Sequence, residues 1–505
     1  MQNKSHWLWW AIIILAVVLG LIVRFYDLTD APLDFHPTRQ LHSALIARGM
    51  YYQSLKDAPA WQKEMAVSQW KAEGLIEPQI MERLTALTYQ VIGSEQLWVA
   101  RVWSILFWMV GGIFLFLLVK QLSSFKASVS AMVVYLLWPY TTIASRSFQP
   151  ESLLTAAILA GLWAGLRWMK GKTWSWAILA SLLCGLAIYI KSVAVFFLAP
   201  PLIAMVLSNM NWKDALTTRQ VWVIGLLAVL PYSFYHLYGV YGIGLLTGQF
   251  SLRFFPQRWV DPVFYLQWLS ELNRIFPIFF LLLSLLGVIL FLDRKYLGFL
   301  LGLLAGYILY GFVFAYHITT HDYYHIPLVI FVSTGFGLLV QGLLAKPKMH
   351  KNDAKYAVAF MLFILMCWNA WQVRSELKKV DFQAEVGYWQ SLGEQLGHDK
   401  KVIGLLPDYG FRLAYWGWMN VSAWPSSLDI ALRKLAGQAG DEGIIFEKEI
   451  SGKDFFVVTE MEELRAQPEL FSYLNIHFPK IESSEKIIIF NLNQDMEMVS
   501  KQPPG

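Results

Sequence analysis

The chain has 505 residues and a formal net charge of +5; 56% of its residues are hydrophobic, 15% are charged, and the mean hydropathy is +0.44. Soluble domains carry about 25% charged residues, so this composition, with its repeated long apolar runs, excludes an ordinary soluble protein and reads as a polytopic membrane protein. The small positive excess falls in loops where membrane topology wants it, which gives no reason to invoke nucleic acid.

The first run, MQNKSHWLWWAIIILAVVLGLIV, has no small-residue cleavage site before Arg24 and is long for a secretory h-region, so it reads as an uncleaved signal-anchor helix. Allowing roughly 20 apolar residues per crossing, the sequence predicts about eleven spans. They are Trp7–Val23, Leu97–Val119, Val129–Ser145, Ser152–Met169, Trp174–Ile190, Ser192–Leu207, Val221–Leu237, Phe276–Leu292, Leu297–Tyr316, Ile326–Leu344 and Tyr356–Trp371. The near contact of the spans at Ile190 and Ser192 demands a tight turn or a re-entrant arrangement. Cys184 and Cys367 both lie in apolar runs and read as core thiols, not as a disulfide or metal pair. Aromatic residues, at 16%, suit interfacial belts.

Short basic loops set the orientation. Lys120 and Lys126; Arg167, Lys170 and Lys172; Lys213 and Arg219; Arg294 and Lys295; and Lys346, Lys348, Lys351 and Lys355 occupy one set of loops, which is cytoplasmic by the positive-inside rule. The alternate set is then extracytoplasmic, and every loop rich in acids, His and Tyr falls on that side. The expected organisation is a transmembrane domain over 1–373, with a first extracytoplasmic loop at 24–96, and an extracytoplasmic soluble α/β domain over 374–505. In that tail the runs KVIGLL, DFFVVT and KIIIF read as strands separated by helices. Within the first loop, 39–53 and 60–71 read as amphipathic helices at the membrane interface.

The chemistry-bearing residues gather in these extracytoplasmic loops. Asp34, in LDFHPTRQ, is bracketed by Pro32 and Pro37, which disfavour helix and fix a turn. Beside His36 and Arg39 it suits a general base for an acceptor hydroxyl; the plainer reading is a solvated acid paired with Arg39. Glu77 and Glu151 each adjoin a proline at a helix start, where an acid is expected for capping and dipole reasons alone. Read functionally, Glu151 is a second carboxylate that shares a proton, orients an acceptor or holds a divalent cation. Lys191, between two spans, either snorkels to the interface or supplies a point charge for a phosphate. HITTHDYYHIP, residues 317–327, is the densest later cluster. Zinc binding there lacks an i, i+4 ligand spacing, and hydrogen bonding by His321 and Tyr324 to a lipid phosphate is the sharper reading.

Four stretches, APLDFHPTRQ, EPQIMERLTALTYQVIGSEQLWVARVWSIL, RSFQPESLL and HDYYHIPL, together resemble the GT-C superfamily of integral-membrane glycosyltransferases, in particular family 39 and family 83-like enzymes such as protein O-mannosyltransferases and the lipid A aminoarabinose transferase. The resemblance covers roughly residues 1–345. It implies a GT-C-like helical membrane fold, a polyprenyl-phosphate-linked sugar as donor, a glycan, lipid or protein acceptor, transfer with inversion, and a multi-pass place in a bacterial plasma (inner) membrane. By motif it makes Asp34 the first-loop base, Glu77 and Glu151 further catalytic acids, and Lys191, His321 and Tyr324, with Arg39 and His36, the donor-phosphate and substrate contacts. Relatives often carry two adjacent acids where this chain has Asp34-Phe35-His36, so whether Asp34 acts alone, with His36 or with Glu151 stays open. No cofactor is expected, with a divalent cation as the alternative. The competing readings are a flippase or transporter for lipid-linked sugars and a non-catalytic assembly protein; the first would place ionisable residues in mid-span, whereas the charges here sit at span ends.

Overall fold

The structure is a computed structural model that describes residues 3–74, 77–246, 253–345, 351–435 and 442–494. Lys346 and Lys348 of the expected basic loops lie outside the described residues. In chain order the first helices are α1 (Asn3–Phe25), α2 (Pro37–Ser54), α3 (Ala60–Ala72), α4 (Ile80–Ile92), α5 (Trp98–Leu122), α6 (Phe125–Leu137), α7 (Pro139–Ala144), α8 (Glu151–Gly171), α9 (Trp174–Ile190) and α10 (Ala194–Asn209).

Among the described residues, seven helices are long and apolar enough to cross a membrane: Trp7–Phe25, Trp98–Leu122, Glu151–Gly171, Arg219–Gly242, Arg294–Val313, Asp322–Ala345 and Asp353–Leu377. The other expected spans coincide with shorter apolar helices, and two are interrupted by proline. Trp138, ahead of Pro139, is forced extended and separates α6 from α7. Phe276-Pro277 bends the helix Pro262–Ile275 by 83° against Ile278–Phe291. Because the indole N–H of Trp138 donates to the carbonyl of Ile275 at 2.7 Å, the two breaks are joined. Cys184 is buried as expected, but Cys367 is exposed: only 28% of the apolar window of its helix, Asp353–Leu377, is covered by protein.

The chain packs as two compact units. One comprises Met1–Thr29, Leu75–Met81 and Trp98–Val380; the other comprises Asp30–Gly74, Glu82–Leu97 and Asp381–Gly505. In the first unit, two buried arginines hold the turn after α1, and a third, Arg24, ties the end of α1 to its neighbours. Arg146 donates to the carbonyls of Tyr26 at 2.8 Å and Asp27 at 2.6 Å, and Arg101 donates to the carbonyl of Leu28 at 3.0 Å. Arg24 reaches Ser145 Oγ at 2.8 Å and the carbonyl of Leu136 at 2.7 Å. Asp27 itself adopts left-handed backbone (φ 53°), so these donors meet carbonyls that a regular helix end would point elsewhere.

The second unit joins most of the first loop to an α/β domain. Its sheet has the order β2-β1-β3-β5-β4, with β1 Lys401–Leu405, β2 Asn420–Ala423, β3 Phe455–Val458, β4 Lys480–Ser483 and β5 Ile488–Asn491. β1 pairs in parallel with β2 and β3, while β5 runs antiparallel to β3 and β4. The expected strand runs KVIGLL, DFFVVT and KIIIF are β1, β3 and β5, and alternate residues Ile403, Leu405, Phe456, Val458, Ile488 and Phe490 enter one core. By contrast, the expected amphipathic interfacial helix at 39–53 is not one. In α2, Gln40, Leu41 and the whole run Ser43–Tyr51 are buried. Gly49 lets α3 come so close that a Cβ there would strike Ala66 and Trp70, and polar residues on the buried faces find partners.

Arg48 is the chief example. It is 4% exposed, pairs with Glu95 at 2.9 Å, donates to the carbonyl of Tyr415, and lies over the rings of Tyr415 and Trp418 at 3.6 and 4.2 Å. Removing one partner of a buried pair leaves the other charge desolvated and costs about 3–5 kcal/mol. Arg48→Ala is therefore expected to lower the stability of this unit by about 3 kcal/mol, read as a fall in melting temperature of the purified protein; an unchanged melt would show that the pair contributes no net stability.

Candidate functional site

Three charged side chains converge in the first unit. α9 stops at Ile190, and Lys191 is extended (φ −156°, ψ 119°) with its backbone N–H still bonded to the carbonyl of Ala187. Its ammonium lies 2.7 Å from Glu151 Oε1 and 3.1 Å from Glu77 Oε1. Glu151 opens α8 just after Pro150, and Glu77 precedes Pro78, so both sit at prolines for the local reasons the sequence predicts. Those local reasons do not account for the convergence. Lys191 is 8% exposed and Glu151 4%, and Glu151 Oε2 has no hydrogen-bond partner among the described residues. Lys191 is therefore not snorkelling to water; it neutralises carboxylates that burial would otherwise penalise by several kcal/mol each.

Aromatic rings border this centre. Lys191 Nζ lies 5.5 Å from the ring centre of Tyr323 and 5.9 Å from that of Tyr324, within cation–π range. Tyr324 stacks on Tyr310 at 5.4 Å and on His317 at 5.4 Å, and His317 sits 5.3 Å from His321. Burial, reinforced by the nearby charges of His321, Arg253 and Lys191, pushes the His317 imidazole down to about 3. His317 is thus neutral at physiological pH and meets Tyr324 as an uncharged ring rather than a cation. Next to it, Asp322 pairs with Arg274 at 2.9 Å, and Arg274 also meets Glu271 at 2.6 Å. The sequence analysis singled out neither Arg274, which makes this pair, nor Tyr310. Tyr310 lies inside the apolar helix Arg294–Val313, where nothing local distinguishes it from a packing residue.

The remaining predicted residues belong to the second unit. Asp34 is half-buried in the turn between Pro32 and Pro37. Gln40, fully buried, fastens that turn by donating to the carbonyls of Phe35 at 2.6 Å and Pro32 at 3.2 Å, with Asp34 Oδ1 at 3.4 Å. His36 takes left-handed backbone (φ 45°) at the N-cap of α2, directly before Pro37. A non-glycine residue in that region costs about 1–2 kcal/mol, and the prolines and Gln40 hold it there. Arg39 is half-buried on the first turn of α2. The structure thus brings Glu77, Glu151, Lys191, His321 and Tyr324 into one neighbourhood of the first unit and holds Asp34, His36 and Arg39 in a fixed turn of the second. Among the described residues no group of three or more His, Cys, Asp or Glu side chains is placed to hold a metal ion.

The Lys191 centre makes a stability prediction. Lys191→Met removes the ammonium from the buried Glu151 and the half-buried Glu77 and should cost about 3–5 kcal/mol. Adding Glu151→Gln should restore part of that loss, because the double variant has one fewer uncompensated charge. Thermal melts of the single and double variants check this; a double variant less stable than Lys191→Met would show that charge compensation is not what Lys191 provides.

Residues 77–238 match the family model described as dolichyl-phosphate-mannose-protein mannosyltransferase, a segment that contains Glu77, Glu151 and Lys191. No curated protein sequence matches the chain. Its fold is similar to ArnT from Cupriavidus metallidurans bound to undecaprenyl phosphate, at 13% identity over 95% of this chain and 97% of that one, with a TM-score of 0.60. It is also similar to the archaeal oligosaccharyltransferase AglB from Archaeoglobus fulgidus in complex with an inhibitory peptide and a dolichol-phosphate, at 11% identity over 95% of this chain and 73% of that one, with a TM-score of 0.57. A further structure of the Archaeoglobus fulgidus oligosaccharyltransferase, similar at a TM-score of 0.52, is a complex with Zn and sulfate. Similarity to the arabinofuranosyltransferase AftD from Mycobacteria spans 95% of this chain but 40% of that one, at 14% identity and a TM-score of 0.51. The chain therefore has the GT-C fold of integral-membrane glycosyltransferases.

Proposed function

We propose that the protein is an inverting glycosyltransferase that moves a sugar from a polyprenyl-phosphate carrier to an acceptor hydroxyl on a lipid, glycan or protein at the extracytoplasmic face of a bacterial inner membrane. The observation that carries this reading is the convergence of Glu77, Glu151 and Lys191, distant in sequence, at one buried centre beside Tyr324. The lipid phosphates bound to the ArnT and AglB structures, which share the fold, support the donor class. The basic loops support the orientation.

In this reading the acceptor oxygen attacks the anomeric carbon, the bond from that carbon to the phosphate oxygen breaks, and the lipid phosphate departs with the electron pair. Asp34 takes the hydroxyl proton as general base, and the fixed turn around it pre-orients the carboxylate. His36 and Arg39 contact substrate beside it. Charge grows on the phosphate oxygens as the bond breaks, and preorganised donors are worth most where charge develops. Lys191, His321 and Tyr324 supply them, while Glu77 and Glu151 orient the Lys191 ammonium and the acceptor. The reaction is proposed to need no metal.

The test is transfer from a panel of radiolabelled polyprenyl-phosphate sugars in membranes, comparing wild type with Asp34→Asn. Loss of a general base costs about 10²- to 10⁴-fold in rate. The expected result is transfer by wild type from one donor class and a loss of that size in the variant with lipid binding kept. Full activity in Asp34→Asn would overturn the assignment of Asp34, and binding without transfer from any donor by wild type would overturn the glycosyltransferase reading.

A further inference from the structure

At the carboxyl end of β1 the chain makes a turn that β-strand geometry does not require. Asp408 (φ 52°), Tyr409 (φ 58°) and Gly410 (φ 80°) are left-handed in succession, and two of them carry a Cβ. Backbone of this kind persists only where its surroundings over-determine it. Here the surroundings are explicit. Asp408 Oδ2 accepts from Arg412 Nε at 2.6 Å, Arg412 is tied to Glu385 at 3.0 Å, and Glu385 also accepts from the indole of Trp389 at 3.0 Å. The Tyr409 hydroxyl donates to Asp429 at 3.2 Å. The other Asp408 oxygen accepts from the Thr38 hydroxyl at 2.8 Å, across 370 residues of sequence.

From β1 the chain crosses to β2 on one side and later returns to β3 on the other, so the turn sits at the switch point of the parallel strands. Open α/β sheets bind ligands in the crevice outside the carboxyl ends of their strands at that point. In this protein the position is taken by the first turn of α2, from the chain itself. Thr38 follows His36 by two residues and precedes Gln40 by two, and Gln40 fastens the Asp34 turn. The segment from Pro32 to Gln40 is stiffened by two prolines and the left-handed His36, so a constraint on Thr38 passes to Asp34 with little slack.

We propose that the α/β domain positions Asp34: Asp408, clamped by Arg412 in a left-handed turn at the end of β1, holds the Asp34 turn through the Thr38 hydroxyl. Asp408, Arg412 and Thr38 are positioning residues that touch no substrate. The inference rests on the assignment of Asp34 as base, and the experiment separates the two.

Full-length protein in nanodiscs is assayed as wild type, Asp34→Asn, Thr38→Val, Thr38→Ser and Asp408→Asn, with kcat and donor KM measured separately. A misplacement of about 1 Å costs up to 10²-fold in rate. Thr38→Val and Asp408→Asn should lose about tenfold or more in kcat with donor KM unchanged, and Thr38→Ser, which keeps the hydroxyl, should retain wild-type kcat. Amide hydrogen exchange over 33–41 should accelerate in Thr38→Val and Asp408→Asn while exchange at the Arg48 end of α2 does not. If Asp34→Asn is inactive but Thr38→Val and Asp408→Asn keep wild-type kcat, the positioning role is overturned and the base assignment stands. Should Asp34→Asn stay active, both fall. Equal loss in Thr38→Ser and Thr38→Val, or exchange accelerated throughout α2, means general destabilisation and likewise overturns the proposal.

Discussion

The site depends on a charge constraint: one ammonium compensates two carboxylates where water is largely excluded. Lys191 lies 2.7 Å from Glu151 and 3.1 Å from Glu77. Ionised groups so buried persist only with partners, so the start of α8, Glu77 and the end of α9 are held in register by electrostatics as much as by packing. The extended backbone at Lys191 follows from this. A helix continuing past Ile190 would carry the side chain around the axis, whereas the break before α10 frees it to reach both acids. The tyrosines beyond it offer ring faces to the same cation, and His317, kept neutral by burial, meets Tyr324 without adding charge.

A second principle governs the first loop. Its long helix α2 is polar enough in sequence to be taken for a surface element, yet it is a core helix of the unit that contains the α/β domain. Each buried polar residue there has a role: Gln40 closes the turn, Ser43 donates to Glu82 at 2.7 Å, and Arg48 joins Glu95 to Tyr415 and Trp418. A buried polar network is favourable only when satisfied throughout, which explains why so many donors in this helix find named acceptors. The left-handed residues at His36 and at 408–410 mark where that network overrides local backbone preference.

How much of this was legible in sequence follows from the range of the forces involved. The membrane helices were legible because crossing a bilayer imposes a local requirement on composition, and the strands KVIGLL, DFFVVT and KIIIF were legible from β-branched and aromatic runs. Interruptions at Pro139 and Pro277 were visible as residues, but their consequence, a span broken into α6 and α7 and an 83° bend, needed the tertiary contact through Trp138 to be understood. Glu77, Glu151 and Lys191 each had an adequate local explanation, and only their convergence set them apart. The interfacial reading of α2 failed because the amphipathic pattern cannot show that a polar face will be covered by a partner that far along the chain. Tyr310 carried no sequence signal, and Cys367 was assigned to the core because apolar sequence does not say which side of a helix faces lipid.

The most direct test of the account is the affinity of undecaprenyl phosphate, without sugar, for wild type and for the charge-compensated variant Lys191→Met/Glu151→Gln. A hydrogen bond to a charged group is worth about 1.5–3 kcal/mol, roughly ten- to a hundredfold in affinity. If Lys191 steadies the donor phosphate, the variant should bind the lipid weaker by that factor while remaining folded. Equal affinity in the two proteins would contradict the account and leave Lys191 as a structural counter-ion for Glu77 and Glu151.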